Sequence, residues 1–112
     1  MDIFLLGQKV EVVHMRIAVL DSRAWIQHPI FQKHLPVIYH ESGTTWMNRT
    51  EIVQKPSNPH GTAVCAIIAQ HTSPNIKIHN FDIFHKEPQI LTKKVISALK
   101  YIMDDGGYDI VN

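Results

Sequence analysis

The segment Arg16-Ile17-Ala18-Val19-Leu20 is almost unbroken in its apolar character and stops abruptly at Asp21. A run of that length without alternation predicts a strand covered on both faces, as in a parallel sheet. Upstream, Gln8 to His14 alternates polar and apolar positions, which predicts a short half-buried strand leading into the domain. Residues 22 to 59 are punctuated by Pro29, Pro36, Pro56, Pro59 and the Ser42-Gly43 pair, so they read as loop-rich, with short strands at Val37 to Tyr39 and Glu51 to Gln54. Gly61 to Gln70 is small and apolar on every side; as a helix it has no polar face and is expected to lie buried. Pro74 and Asn75 close that unit, and Ile76, Ile78, Phe81, Ile83 and Phe84 mark another strand.

From Gln89 to Asp105 the spacing becomes helical. Leu91, Val95, Ala98, Leu99 and Ile102 fall on one stripe, with Lys93, Lys94 and Lys100 outside it. Gly106-Gly107 ends that helix, and Tyr108 to Asn112 begins a further strand. Strand, helix, strand, helix, strand is the order of an α/β fold with a mainly parallel sheet and helices on both faces.

Composition narrows the possibilities. The 112 residues are enough for one domain, and a formal net charge of +1 with scattered lysines and arginines gives no phosphate-tracking surface. A nucleic-acid partner is therefore not expected. No segment approaches membrane-spanning length, and the apolar run in Met1 to Lys9 is short for a signal-peptide core and lacks a basic flank. With the single cysteine, Cys65, unable to form an internal disulfide, the expectation is a soluble, cytoplasmic product without a membrane partner. The eight histidines (14, 28, 34, 40, 60, 71, 79 and 85) lack the helix-face spacing of a zinc site and read as scattered surface residues. No metal or cofactor is expected. A nucleotide-binding module is disfavoured too, since no Gly-x-Gly-x-x-Gly or Gly-Lys-Ser/Thr segment is present.

Two residues carry candidate chemistry. Asp21 lies just past the carboxyl end of its strand, where sheets of this class place their sites. Read alone, it is better explained as a turn-starting aspartate held by local N–H groups. His60 opens the helix in Asn58-Pro59-His60-Gly61-Thr62, at the mouth of the core. Read alone, it is a helix-capping histidine; beside a carboxylate it becomes a general base whose ring the acid orients.

Taken together, Arg16-Ile17-Ala18-Val19-Leu20-Asp21-Ser22, His28-Pro29 and His60-Gly61-Thr62-Ala63-Val64 resemble the first half of the subtilisin-like serine peptidases. In that family the catalytic aspartate ends a central strand in an Asp-Ser-Gly or Asp-Thr-Gly turn, and the catalytic histidine opens the central helix in His-Gly-Thr-x-Val-Ala-Gly. Asp109-Ile110-Val111-Asn112 looks like the strand preceding the family's substrate-binding segment. The resemblance implies a truncated form of the subtilisin-like three-layer fold. Residues 1–14 would be an extension or short strand, and residues 15–112 the amino-terminal half of the peptidase domain. It implies serine endopeptidase chemistry on a peptide or protein substrate, with Asp21 and His60 as catalytic residues.

Departures from the family pattern are specific. Arg23 stands where the turn glycine is usual, a bulky cation close to the expected catalytic carboxylate, and Cys65-Ala66 replaces Ala-Gly. Ile30 follows His28-Pro29 where an aspartate can help hold calcium, so no calcium site is implied. None of Ser22, Ser42, Ser57, Ser73 and Ser97 sits in the Gly-Thr-Ser context of the nucleophile. Cys65, five residues after His60 in an apolar helix, is poorly placed to substitute for it. The isolated chain is expected to be inactive: it would be either a truncated product or one piece of a split enzyme, and in the latter case a second chain supplies the serine-bearing half. The alternative is a non-catalytic interaction domain of the same fold, its open edge near Tyr108 to Asn112 pairing with another chain. In either case uncovered apolar surface predicts poor solubility.

Overall fold

A computed structural model describes residues 3–10, 14–49, 54–84 and 92–112. Its centre is a five-stranded sheet built from β3 (Met15–Asp21), β4 (Val37–Ser42), β5 (Thr45–Asn48), β6 (Ile76–Asp82) and β7 (Ile110–Val111), in the order β5-β4-β6-β3-β7. The pairs β4–β6, β6–β3 and β3–β7 are parallel; only β4–β5 is antiparallel. This is the mainly parallel α/β sheet that the sequence predicts.

Two helices pack on it, α1 (His60–His71) and α2 (Thr92–Asp105). Successive residues of a strand point to opposite faces, and β3 shows this directly. Ile17 and Val19 join Ile78 and Cys65 in a core beneath α1. Ala18 joins Phe81, Ala98 and Ile102 in a second core beneath α2. The unalternating apolar character of β3 thus follows from having a helix over each face.

Several expectations are corrected. Gly61 to Gln70 is helical, but α1 is not buried all round: only Gly61 and Cys65 are buried, and Ile67 is 60% exposed. The sheet covers one side of the helix, and among the described residues no further layer covers the other. Within α2, Ala98 and Ile102 are buried and Val95 is half-buried, but Leu99 is exposed; Tyr101 turns toward the core instead. Leu91 and the expected first turn from Gln89 lie outside the described residues.

The strand expected at Val37 to Tyr39 runs on to Ser42 and returns as β5 across Gly43-Thr44, a hairpin that the loop-like composition concealed. Gly43 has φ +60°, and its freedom to adopt that angle permits the two-residue turn. Of the expected strand at Glu51 to Gln54, residues 51–53 lie outside the description and Gln54 is not in a strand. Gln8 to His14 forms a strand only over β2 (Gln8–Val10), which pairs antiparallel with β1 (Ile3–Leu5) in a separate two-stranded sheet. Residues 11–13 are outside the description.

The histidines are not all surface residues either. His34, His40 and His79 are buried. The Nε2 of His34 bonds the carbonyl of Ile76 at 2.5 Å, and His79 Nδ1 lies 2.7 Å from the Tyr108 hydroxyl, so these two buried rings find partners inside the fold. No described helix is long and apolar enough to cross a membrane.

Candidate active site

The carboxyl ends of β3 and β6 lie side by side, with Asp21 in register with Asp82. Here the chain leaves β3 through Asp21-Ser22 and meets the amino terminus of α1. The approach is close. A Cβ on Gly61 would lie 1.8 Å from the Ser22 carbonyl oxygen, so only glycine lets the helix start touch the turn. Ser22 closes the gap: its Oγ accepts from the Gly61 N–H at 2.8 Å, satisfying one of the unpaired donors of the first helical turn. Asn58 Oδ1 accepts from the His60 N–H at 3.0 Å and satisfies another.

That contact brings His60 onto Asp21. The imidazole Nδ1 lies 2.9 Å from both Oδ1 and Oδ2 of the carboxylate. A carboxylate opposite Nδ1 favours the tautomer that carries its hydrogen there, and in that tautomer Nε2 keeps the lone pair. The two partners differ sharply in exposure. Asp21 is buried, whereas the His60 side chain is 70% exposed. No hydrogen bond engages Nε2 among the described residues. Asp21 also accepts from the Ser22 N–H at 2.7 Å, so it is a turn aspartate and an imidazole partner at once.

Asn80 was not singled out by sequence, yet it is wholly buried beneath this turn. Its Oδ1 accepts from the Ala24 N–H at 2.7 Å, and its Nδ2 donates to the Ser22 carbonyl at 3.2 Å and the Val19 carbonyl at 3.4 Å. The available signal was a carboxamide at the position of β6 where Ile76 and Ile78 set an apolar parity, since a polar group buried there must be satisfied internally. Thr62 holds the following residue, accepting from the Trp25 N–H at 2.9 Å. His28 Nδ1 accepts from the Ile30 N–H at 3.1 Å, which starts the 3-10 turn Pro29–Phe31 and seats Phe31 in the core.

Arg23 does not engage Asp21: no hydrogen bond or ion pair joins them among the described residues. It shares a small polar hollow with Ser22, Asn58, Asp82 and Phe84. Partial burial pulls its guanidinium pKa below the ordinary value, and the charge of Asp82 opposes that pull. Asp82 accepts from the Phe84 N–H at 3.1 Å and lies 3.9 Å from His40 Nδ1, both side chains being buried.

Cys65 lies fully buried in α1, and burial pushes its thiol up to about 12, so it is a packing group. Among the described residues no group of three or more His, Cys, Asp and Glu side chains is arranged to hold a metal ion.

The model of the Subtilase family of peptidases matches residues 14–112 of the chain. No curated protein and no solved structure matches it.

Proposed function

Because the chain belongs to the subtilase family, we propose that it carries the aspartate–histidine half of a subtilisin-type endopeptidase, the amino-terminal part of that family's three-layer catalytic domain. The observation that supports this most is the bond from His60 Nδ1 to the buried Asp21 carboxylate, with Nε2 turned to an open surface. Asp21 fixes the ring so that Nε2 is the basic atom. A serine from outside residues 1–112 gives its proton to Nε2 as its oxygen attacks the peptide carbonyl. The imidazolium so formed is stabilised by the adjacent carboxylate, whose burial strengthens the interaction. His60 then protonates the departing amine, and after that it activates the water that releases the acyl group.

Peptide or protein is the substrate class, and the serine-bearing half is the partner. Cys65, buried and without a disulfide, suits the cytoplasm. Loss of the histidine in subtilisin itself lowers turnover by about six orders of magnitude. A cell extract of the source, mixed with the purified chain and a fluorophosphonate probe, should therefore yield a labelled complex that co-purifies with the chain. His60→Ala should abolish the labelling. Labelling that is absent with the native chain, or equal with His60→Ala, overturns the reading.

One observation favours the second reading, a non-catalytic interaction domain. β7 is the edge strand of the sheet, and its Ile110 and Val111 are each 47% exposed, so its outer edge is open to pairing. On that reading a partner is captured without label, and His60→Ala leaves the capture unchanged.

A further inference from the structure

We propose that Asn80 is a positioning residue for the Asp21–His60 pair, its carboxamide clamping the chain on both sides of Arg23 so that the Asp21 carboxylate stays aimed at His60 Nδ1. The inference rests on the peptidase reading for its purpose, but not for its geometry.

The amide is used to the full. Oδ1 takes the Ala24 N–H at 2.7 Å, and the two Nδ2 hydrogens go to the Ser22 and Val19 carbonyls at 3.2 and 3.4 Å. The Ala24 donor requires an acceptor opposite it, so the amide orientation is fixed. These three bonds grip residues 19, 22 and 24, the end of β3 and the turn beyond it. Between the last two sits Arg23, whose guanidinium has no hydrogen bond or ion pair to hold the turn in place among the described residues. Ser22 in turn receives the Gly61 N–H, and its own N–H bonds Asp21 Oδ1. The chain of contacts thus runs from β6 through Asn80 to Ser22, and from Ser22 to both members of the pair.

An apolar residue would serve the core equally well at this place. Ile78, two residues earlier on the same face of β6, does so. A carboxamide there is explained above all by the Ala24 N–H and the Ser22 carbonyl, which lie beyond the β3 ladder and, left unpaired and buried, are strongly unfavourable. β6 is thereby made a rigid backing for the turn, and the carboxylate orientation becomes a property of the sheet.

The test reads the imidazole itself. In the 15N-labelled chain, long-range 1H–15N correlations give the ratio of Nδ1–H to Nε2–H tautomers of His60. The native chain should favour Nδ1–H. Asn80→Leu should lower the ratio by roughly fivefold, the scale of one lost hydrogen bond. Ile78→Ala should destabilise the fold while leaving the ratio unchanged. If Asn80→Leu does not fold, Asn80→Ser, which keeps a hydroxyl and leaves room for water, carries the same measurement.

A ratio that survives in the folded Asn80 variant, or one that falls equally in Ile78→Ala, reduces Asn80 to packing and overturns the clamp alone. A native chain with no Nδ1–H preference overturns more: the pair is then not formed, and the clamp and the peptidase reading fall together.

Discussion

The two faces of the central sheet are built from different materials. Under α1 the core is largely aliphatic, with Ile17, Val19, Ile26, Ile38 and Ile78 around Cys65, and it runs out at the rim into Asp21, Ser22, Asn80 and Asp82. Under α2 it is aromatic. Phe81 stacks on Tyr39 at 4.9 Å and meets the rings of Trp46, Tyr108 and Tyr101 at 5.5, 5.8 and 5.9 Å. No acid or amide interrupts that packed centre, and its buried polar ring, His79, is satisfied by Tyr108. Buried polar groups oblige their neighbours to supply partners, and each omission is destabilising. Concentrating them on one face leaves the other free to supply stability. The site rim is held by hydrogen bonds and close approach; the sheet is held by the rings behind it.

The largest effect should therefore come from the face without the site. Phe81→Ala removes a fully buried ring and four aromatic neighbours at once, which should lower stability by about 3–5 kcal/mol. Urea unfolding followed by tryptophan fluorescence measures it. A loss below about 1 kcal/mol would mean that the aromatic face is not the anchor.

Gly61→Ala tests the other face and should be milder in stability, about 1–3 kcal/mol, but harsher on geometry. The new methyl meets the carbonyl of Ser22, a backbone group that no side-chain rotation can move aside. The turn or the helix start must shift, and the His60 Nδ1 to Asp21 bond with it. The downfield Nδ1–H resonance of His60 should vanish while most of the folded spectrum persists. An intact resonance in Gly61→Ala would show that the site tolerates a looser joint than its packing suggests.

What the chain revealed before its structure follows the same division. β3, α1, β6 and α2 were legible because long apolar runs and a 3.6-residue stripe are local signals. The candidate pair was legible because Asp21 and His60 sit at the ends of two such elements, and these ends converge on one rim of the sheet. β5 was not, since Thr45–Asn48 has only Trp46 facing the core and its pairing with β4 is set by the Gly43-Thr44 turn. The exposed side of α1 was hidden as well, because a uniformly apolar helix carries no mark of which side faces the sheet. Asn80 illustrates a third case. Ile76 and Ile78 share one face, Phe81 and Ile83 the other, and the amide sits where the apolar parity changes, so sequence shows an anomaly but not its three backbone partners.

The finest contrast between the faces is in their response to acid. His79 lies against the aromatic core, where burial, aided by the positive charge of Arg16, lowers its pKa to about 4. Unfolded, a histidine titrates near 6.5. Above that pH the ring is neutral in both states and contributes no pH dependence. As pH falls below 6.5 the unfolded chain takes up the proton first, so stability is lost progressively until the folded ring also protonates near 4, and is constant in this respect below. Allowing for the ring's partly solvated edge, the loss should be about 1–2 kcal/mol. Asp105, whose carboxyl is held below its ordinary value by the Arg16 guanidinium, adds its own loss only at lower pH. His79→Gln removes the titration and leaves a group able to bond Tyr108. The difference between native and His79→Gln stability, followed by urea unfolding from pH 7 to pH 4, should open across that window. If the two curves run parallel, the ring protonates freely in the folded state, and the aromatic face is wetter than its packing implies.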